Sequence, residues 1–204
     1  MLLDFFMPAR CAGCGAPGGE LCPRCEARIA TSQAIVVGAR GSTPPLVALG
    51  MYEGCLRTAL LSLKFRGARG MGMRLGRWIA GRLFWPFDLI VPVPLHAARL
   101  RERGYNQAAE IAKGIASASD RACVEDAIER VRATAPQSGL EARERLVNVA
   151  DAFAAGRRRN VVADRRVLIV DDVVTTGATV RASSAALVSA GARLTYVACA
   201  ALRL

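Results

Sequence analysis

The 204 residues leave room for one sizeable core plus a small appended module, and for little more. A hydrophobic fraction of 52% and a mean hydropathy of +0.26 exclude a disordered chain. Lys and Arg outnumber Asp and Glu by 28 to 17, a formal net charge of +11, so the field attracts polyanions such as phosphorylated ligands and nucleic acids. A solvated basic surface accounts for the same charge, since the arginines are spread along the chain with small clusters at Arg99, Arg101, Arg103 and at Arg157, Arg158, Arg159.

The first stretch, Met1 to Met7, carries Asp4 and lacks a basic lead, and no apolar run approaches the roughly 20 residues that span a bilayer. The expected location is the cytoplasm. From Cys11 to Cys25 the chain reads C-A-G-C-G-A-P-G-G-E-L-C-P-R-C, with too few apolar residues to fold by burial alone. Two Cys-x-x-Cys pairs, Cys11 with Cys14 and Cys22 with Cys25, supply four thiolates, the composition of a tetrahedral structural Zn²⁺ site. A redox pair or an iron–sulfur site is the rival reading. Cys55, Cys123 and Cys199 stand in apolar settings and read as small core residues. Gly38 to Pro45 is a Gly/Pro linker, which divides the chain into a cysteine module at 1–40 and a main domain at 45–204.

Leu46 to Met51 reads as a short strand. Leu56, Leu60 and Leu63 recur at helical spacing and stop at Gly67, and a second helix is predicted over Met73 to Leu83. Leu89 to Val93 is an apolar strand, followed by a basic loop and a helix over Asn106 to Ala118. Glu129 to Phe153 is polar and broken by Pro136 and Gly139, with a short helix expected at Leu140 to Val147. The pattern then sharpens: a strand over Arg166 to Val170, a loop from Asp171 to Thr176, a helix from Gly177 to Ala190 closed by Gly191, and a last strand over Thr195 to Ala201. Alternating strands and helices imply an α/β fold with a mainly parallel sheet.

The segment Val167 to Thr179, V-L-I-V-D-D-V-V-T-T-G-A-T, carries the chemistry. Two carboxylates at the carboxyl end of a buried parallel strand lie where open α/β sheets bind ligands, and they can accept hydrogen bonds from neighbouring hydroxyls such as a ribose 2′,3′-diol. Thr175, Thr176, Gly177, Ala178 and Thr179 then offer hydroxyls, a permissive glycine and backbone N–H groups at a helix start, an end that binds phosphate. A plain turn with Asp172 as helix cap does not explain D-D followed by T-T-G-x-T.

This segment resembles the phosphoribosyl pyrophosphate (PRPP) signature of the type I phosphoribosyltransferases. Further stretches resemble the competence-protein ComF family, which joins an N-terminal zinc module to such a domain: Leu63-Lys64-Phe65-Arg66-Gly67; Val91-Pro92-Val93-Pro94-Leu95-His96 with Arg99 and Arg103-Gly104-Tyr105-Asn106-Gln107; and Arg132 with Pro136 to Leu140, Arg145 and Asn148. The resemblance implies a type I phosphoribosyltransferase-like sheet, PRPP as ligand, and Mg²⁺ carried largely by substrate and water oxygens. It implies that Asp171 and Asp172 orient the ribose, that Thr175 to Thr179 hold the 5′-phosphate, and that the pyrophosphate meets His96, Arg99, Arg103 and Asn106, with no proton-transfer role for His96. Gln137 and Arg145 become candidates for a hood that closes over substrate, an exposed amphipathic helix being the alternative. Enzymes acting on 6-oxopurines place an aspartate where Thr175 stands, so a hypoxanthine or guanine acceptor is disfavoured; the acceptor base and the oligomeric state are not encoded legibly. Whether the chain is an enzyme stays open beside two alternatives, a single-stranded-DNA-associated competence factor working with competence proteins and a ligand-sensing regulator without turnover.

Overall fold

The computed structural model describes residues 10–132 and 152–204. The chain is built around a six-stranded sheet of β1 (Ile35–Val37), β2 (Leu46–Met51), β3 (Leu89–Pro92), β4 (Ala122–Cys123), β7 (Arg166–Val174) and β8 (Leu194–Leu202), in the spatial order β1-β2-β8-β7-β3-β4. All neighbouring pairs are parallel except β1 with β2, which puts one antiparallel strand on an edge. A separate antiparallel pair, β5 (Ile128–Arg130) and β6 (Phe153–Ala155), flanks residues 133–151. Among the described residues the α-helices are α1 (Pro23–Ala30), α2 (Gly54–Phe65), α3 (Arg69–Ala80), α4 (Ala97–Arg103), α5 (Gln107–Ser119) and α6 (Ala178–Ser189).

The side-chain period of two along each strand divides the core into two layers. Val47, Leu49, Ile90, Leu168 and Val170 face the layer formed with α2, α3 and α5. Their sequence neighbours Leu46, Ala48, Leu89, Val167 and Ile169 face the layer formed with α6 and the β5–β6 pair. Both faces of the sheet are covered, which is why its strands read as continuous apolar runs. The expected α/β class with a mainly parallel sheet is the observed one, and Cys199 is indeed a buried core residue.

Helices α3 and α5 approach so closely that glycine is required where they cross. A Cβ on Gly76 would lie 2.1 Å from the Ile111 carbonyl oxygen, and one on Gly114 would lie 2.3 Å from that of Met73. The cysteine stretch packs on the same layer, with Cys11, Leu21, Cys25 and Ile29 in the core shared with α2 and α3. Glu20 accepts from the Met71 backbone N–H at 3.1 Å at the start of α3, and Glu26 pairs with Arg74 at 3.3 Å. The strand Ile35–Val37, inside the 1–40 stretch, joins the main sheet.

Several element bounds differ from those expected. The strand expected to stop at Val170 runs on to Val174, because its partner β8 also continues, pairing Asp171 with Cys199 and Val174 with Leu202. The second helix starts at Arg69 rather than Met73, since Gly67, at a φ of 70°, ends one helix and reverses the chain directly into the next. The basic loop after β3 contains α4, whose seven residues bury no side chain and so carry no apolar periodicity. The linker is tied by a two-way backbone bridge between Arg40 and Thr43, at 3.1 and 3.0 Å. The helix expected at Leu140 to Val147, with Gln137 and Arg145, lies outside the described residues.

Candidate functional site

The acid pair sits at the carboxyl end of β7, near the centre of the sheet. Because the backbone stays extended, the two side chains diverge, and each carboxylate is held by the next peptide: Asp171 Oδ1 accepts from Asp172 N–H at 2.8 Å, and Asp172 Oδ1 accepts from Val173 N–H at 2.7 Å. Asp172 Oδ2 also meets Lys64 Nζ at 2.8 Å. Burial pushes the Asp171 carboxyl up to about 7, the charge of Asp172 adds to this, and the Asp172 N–H, Lys64 and Arg130 oppose it.

Beyond the acids the chain turns through Gly177, at a φ of 75° that favours glycine, into α6. Arg181, from the first turns of α6, donates to the Thr176 carbonyl at 3.3 Å and to Thr43 Oγ1 at 3.2 Å, bracing the loop from behind against the 38–45 segment. Thr175 and Thr179 line the same cavity as Asp171 and Asp172, while Gly177 and Ala178 are buried. The backbone donors at the start of this 12-residue helix are thus set beside the acids, an arrangement suited to a phosphate ester.

The opposite wall comes from α4 and the start of α5. Arg99 and Arg103, four apart, share one face of α4 and line the cavity. Arg103 is held by Gln107 Oε1 at 2.9 Å and stacks over Phe65 at 5.7 Å. Asn106 lines the cavity too, but its amide is already engaged: Oδ1 caps α5 at Ala108 N–H, 3.1 Å, and Nδ2 donates to the Val93 carbonyl at 2.9 Å. His96 caps α4, its Nδ1 accepting from Ala98 N–H at 3.3 Å, and is not among the residues lining the cavity. The enclosed volume is about 440 Å³.

The four cysteine sulfurs lie within 4.8 Å of one another. Tetrahedral Zn–S bonds of about 2.3 Å place sulfurs about 3.8 Å apart, and Cys14 and Cys22 stand at 3.8 Å. The N–H groups of Gly13 and Cys22 point at the sulfur of Cys11, at 3.4 and 3.2 Å. Although burial raises the Cys11 thiol, those donors, that of Cys14 and the Cys22 side chain outweigh it and bring it down to about 6, which favours a thiolate. The donor set therefore fits zinc.

The phosphoribosyl transferase domain family matches residues 98–203, a segment that holds the acids, the loop and both arginines. Competence protein F of Haemophilus influenzae is 39% identical over 92 residues, covering 45% of this chain and 40% of that protein. DNA utilization protein YhgH of Salmonella typhi is 33% identical over 201 residues, covering 93% of this chain and 82% of that protein. The chain belongs to the ComF family. Among solved structures, a glutamine PRPP amidotransferase from B. subtilis is similar over 63% of this chain and 25% of that one, at 22% identity and a TM-score of 0.44.

Four further residues line the cavity of this ComF protein that the sequence does not single out: Tyr52, Lys64, Arg130 and Arg203. Lys64 stands within the quoted Leu-Lys-Phe-Arg-Gly stretch, the one signal that could have marked it. Two guanidinium groups approach the Tyr52 ring, Arg203 at 5.9 Å and Arg57 at 6.0 Å from its centre. Arg130 and Arg203 sit at strand ends remote in sequence from the acids, so only the fold brings them there. Among the described residues no helix is long and apolar enough to cross a membrane.

Proposed function

We propose that this ComF protein binds PRPP and acts as a phosphoribosyltransferase. The observation that carries the reading is the convergence of Asp171, Asp172, Thr175 and Thr179 with Arg99 and Arg103 on one cavity at the carboxyl ends of parallel strands. The acids accept the ribose hydroxyls, the loop from Thr175 to Thr179 holds the 5′-phosphate, and the two guanidinium groups meet the diphosphate.

A nitrogen nucleophile then forms a bond to the anomeric carbon while the bond to pyrophosphate breaks, and the electron pair leaves with the pyrophosphate oxygen. Asp171 and Asp172 favour the positive charge that develops on the ribose, and Arg99 and Arg103 favour the departing anion. Asp171 and Asp172 are the protein carboxylates that would lie beside a Mg²⁺ held mainly by ligand and water oxygens, and the ion would supply charge neutralisation. Zinc on Cys11, Cys14, Cys22 and Cys25 is structural.

The test is calorimetric titration with PRPP and Mg²⁺, followed by pyrophosphate detection on a panel of bases. Asp171→Asn and Asp172→Asn should abolish binding. Wild-type protein that takes up no PRPP would overturn the reading, and tight binding without turnover on any base would make the protein a ligand sensor.

A second reading has support of its own. Relatives carry the name DNA utilization protein, the net charge is +11, and Arg157, Arg158 and Arg159 are exposed together. Under it the protein binds single-stranded DNA in concert with competence proteins. Its affinity for DNA would fall with salt and persist, or rise, in the two Asn variants.

A further inference from the structure

Lys64 is set where an unpaired ammonium would be costly. Its side chain is only 20% exposed and that of Asp172 only 14%, and their charged atoms are 2.8 Å apart. The backbone beneath it is fixed from two sides: the Tyr105 hydroxyl donates to the Leu63 carbonyl, and the next residue, Phe65, lies under the Arg103 guanidinium.

An ammonium has three hydrogens to donate, and Asp172 takes one. Lys64 also lines the cavity shared by both acids, so a ligand there would meet a side chain with donors still to offer. Asp172 for its part has one oxygen on the Val173 N–H and the other on Lys64, which fixes the plane of the carboxylate while leaving lone pairs for further donors.

We propose that Lys64 is a binding residue of the pentose subsite: its ammonium orients the Asp172 carboxylate toward the ribose hydroxyls and donates to the hydroxyl oxygen beside it. The inference rests on the PRPP reading and adds to it a cation supplied by α2. It also makes the site selective for a sugar with an intact diol, because a deoxy-sugar lacks a hydroxyl that the carboxylate and the ammonium would both engage.

Further charged and titratable groups line the cavity with this pair: Asp171 from β7, Arg130 from β5, Arg99 and Arg103 from α4, Arg203 just past β8 and Tyr52 just past β2. Removal of the ammonium takes a close positive charge from two neighbouring carboxylates, so the pH below which ligand is lost should move upward in Lys64→Met and stay in place in Lys64→Arg.

The experiment titrates ribose 5-phosphate and PRPP, each with Mg²⁺, into wild-type, Lys64→Met and Lys64→Arg protein across pH. Lys64→Met should weaken both ligands by a similar factor of about ten or more and raise the pH midpoint. Lys64→Arg should keep the midpoint and recover part of the affinity, and it serves alone should the Met variant not fold. Unchanged affinity and midpoint in Lys64→Met would sink the inference while leaving the PRPP reading intact. Loss of PRPP affinity alone would move Lys64 to the diphosphate and sink the ribose assignment. Wild-type protein that binds neither ligand removes both readings together.

Discussion

The sulfur of Cys55 lies 3.5 Å from that of Cys25. Cys55 stands in the first turn of α2 and Lys64 in its last, so a single helix touches the cysteine cluster at one end and the ligand acids at the other. The cysteine module is therefore in a position to hold α2, and through it Lys64, against β7.

Metal removal should then weaken ligand binding as well as stability. Chelation is expected to release one zinc per chain, lower the melting temperature, and reduce affinity for ribose 5-phosphate, since the free energy of metal binding is part of the folding free energy of such a module. Cys25→Ser should abolish zinc retention, whereas Cys55→Ser should keep it, because the four-sulfur cluster does not include Cys55. Zinc analysis beside melting curves checks this, and equal zinc loss in both variants would show the ligand set to be wrong.

A pH dependence with opposite signs for stability and binding follows from Asp171. Its carboxyl lies near 7 in the folded chain against 3.8 as the ordinary value, raised first by burial and then by the charge of Asp172. Between these values the folded state holds a proton that the unfolded state has released. The contribution of this group to stability is thus present below about pH 4 and is lost progressively as pH rises toward 7. An ionised carboxylate accepts more strongly from ribose hydroxyls than a neutral carboxyl does, so affinity for ribose 5-phosphate should instead rise between about pH 6 and 8. Calorimetry and thermal melts across that range test both signs, and a flat affinity profile would remove Asp171 from the ribose site.

What the chain discloses unaided depends on whether the signal is local. Val167 to Thr179 is contiguous, so the strand, the acids and the turn into the next helix can be read from one stretch, and the paired cysteines are equally local. Lys64 and Asp172 meet only because α2 packs over the sheet beside β8 and β7, and a lysine near a helix end carries no periodicity to announce it. Helix α4 is illegible for a related reason, as none of its residues is buried and they follow no apolar pattern. Asn106 is legible for two reasons at once: its place in the pyrophosphate-side stretch suggests a ligand contact, and its amide also fixes the start of α5 through one bond at each end, to Val93 and Ala108.

Discrimination between two ligands should separate the α4 arginines from the acids. Arg99→Ala and Arg103→Ala are expected to weaken PRPP by about tenfold or more and to leave ribose 5-phosphate within about twofold, because the diphosphate is the charge they face. Arg103→Ala also removes the stack on Phe65 and the bond to Gln107, so it should cost some stability that Arg99→Ala does not. Parallel titrations and melts resolve the two effects. Equal loss of both ligands would place the arginines elsewhere than on the diphosphate.

The crossing of α3 and α5 gives a prediction about folding that is independent of any ligand. At Gly76 an added methyl would meet the Ile111 carbonyl oxygen at 2.1 Å and the Gly114 Cα at 2.7 Å, both backbone atoms that cannot swing aside. Gly76→Ala must therefore push the helices apart, at a cost of about 1–3 kcal/mol or more, which for a chain of this size lowers the melting temperature by about 2–4 °C per kcal/mol. Gly38→Ala is the matched control: nothing lies within 4 Å of its added Cβ and its φ is not in the left-handed region, so the change should be neutral or slightly stabilising. Because α5 begins at Asn106 and Gln107, beside Arg103, displacement of that helix should also loosen the arginine wall and weaken PRPP in proportion to the stability lost. A Gly76→Ala protein that melts like the wild type would mean that the two helices do not pack at this separation.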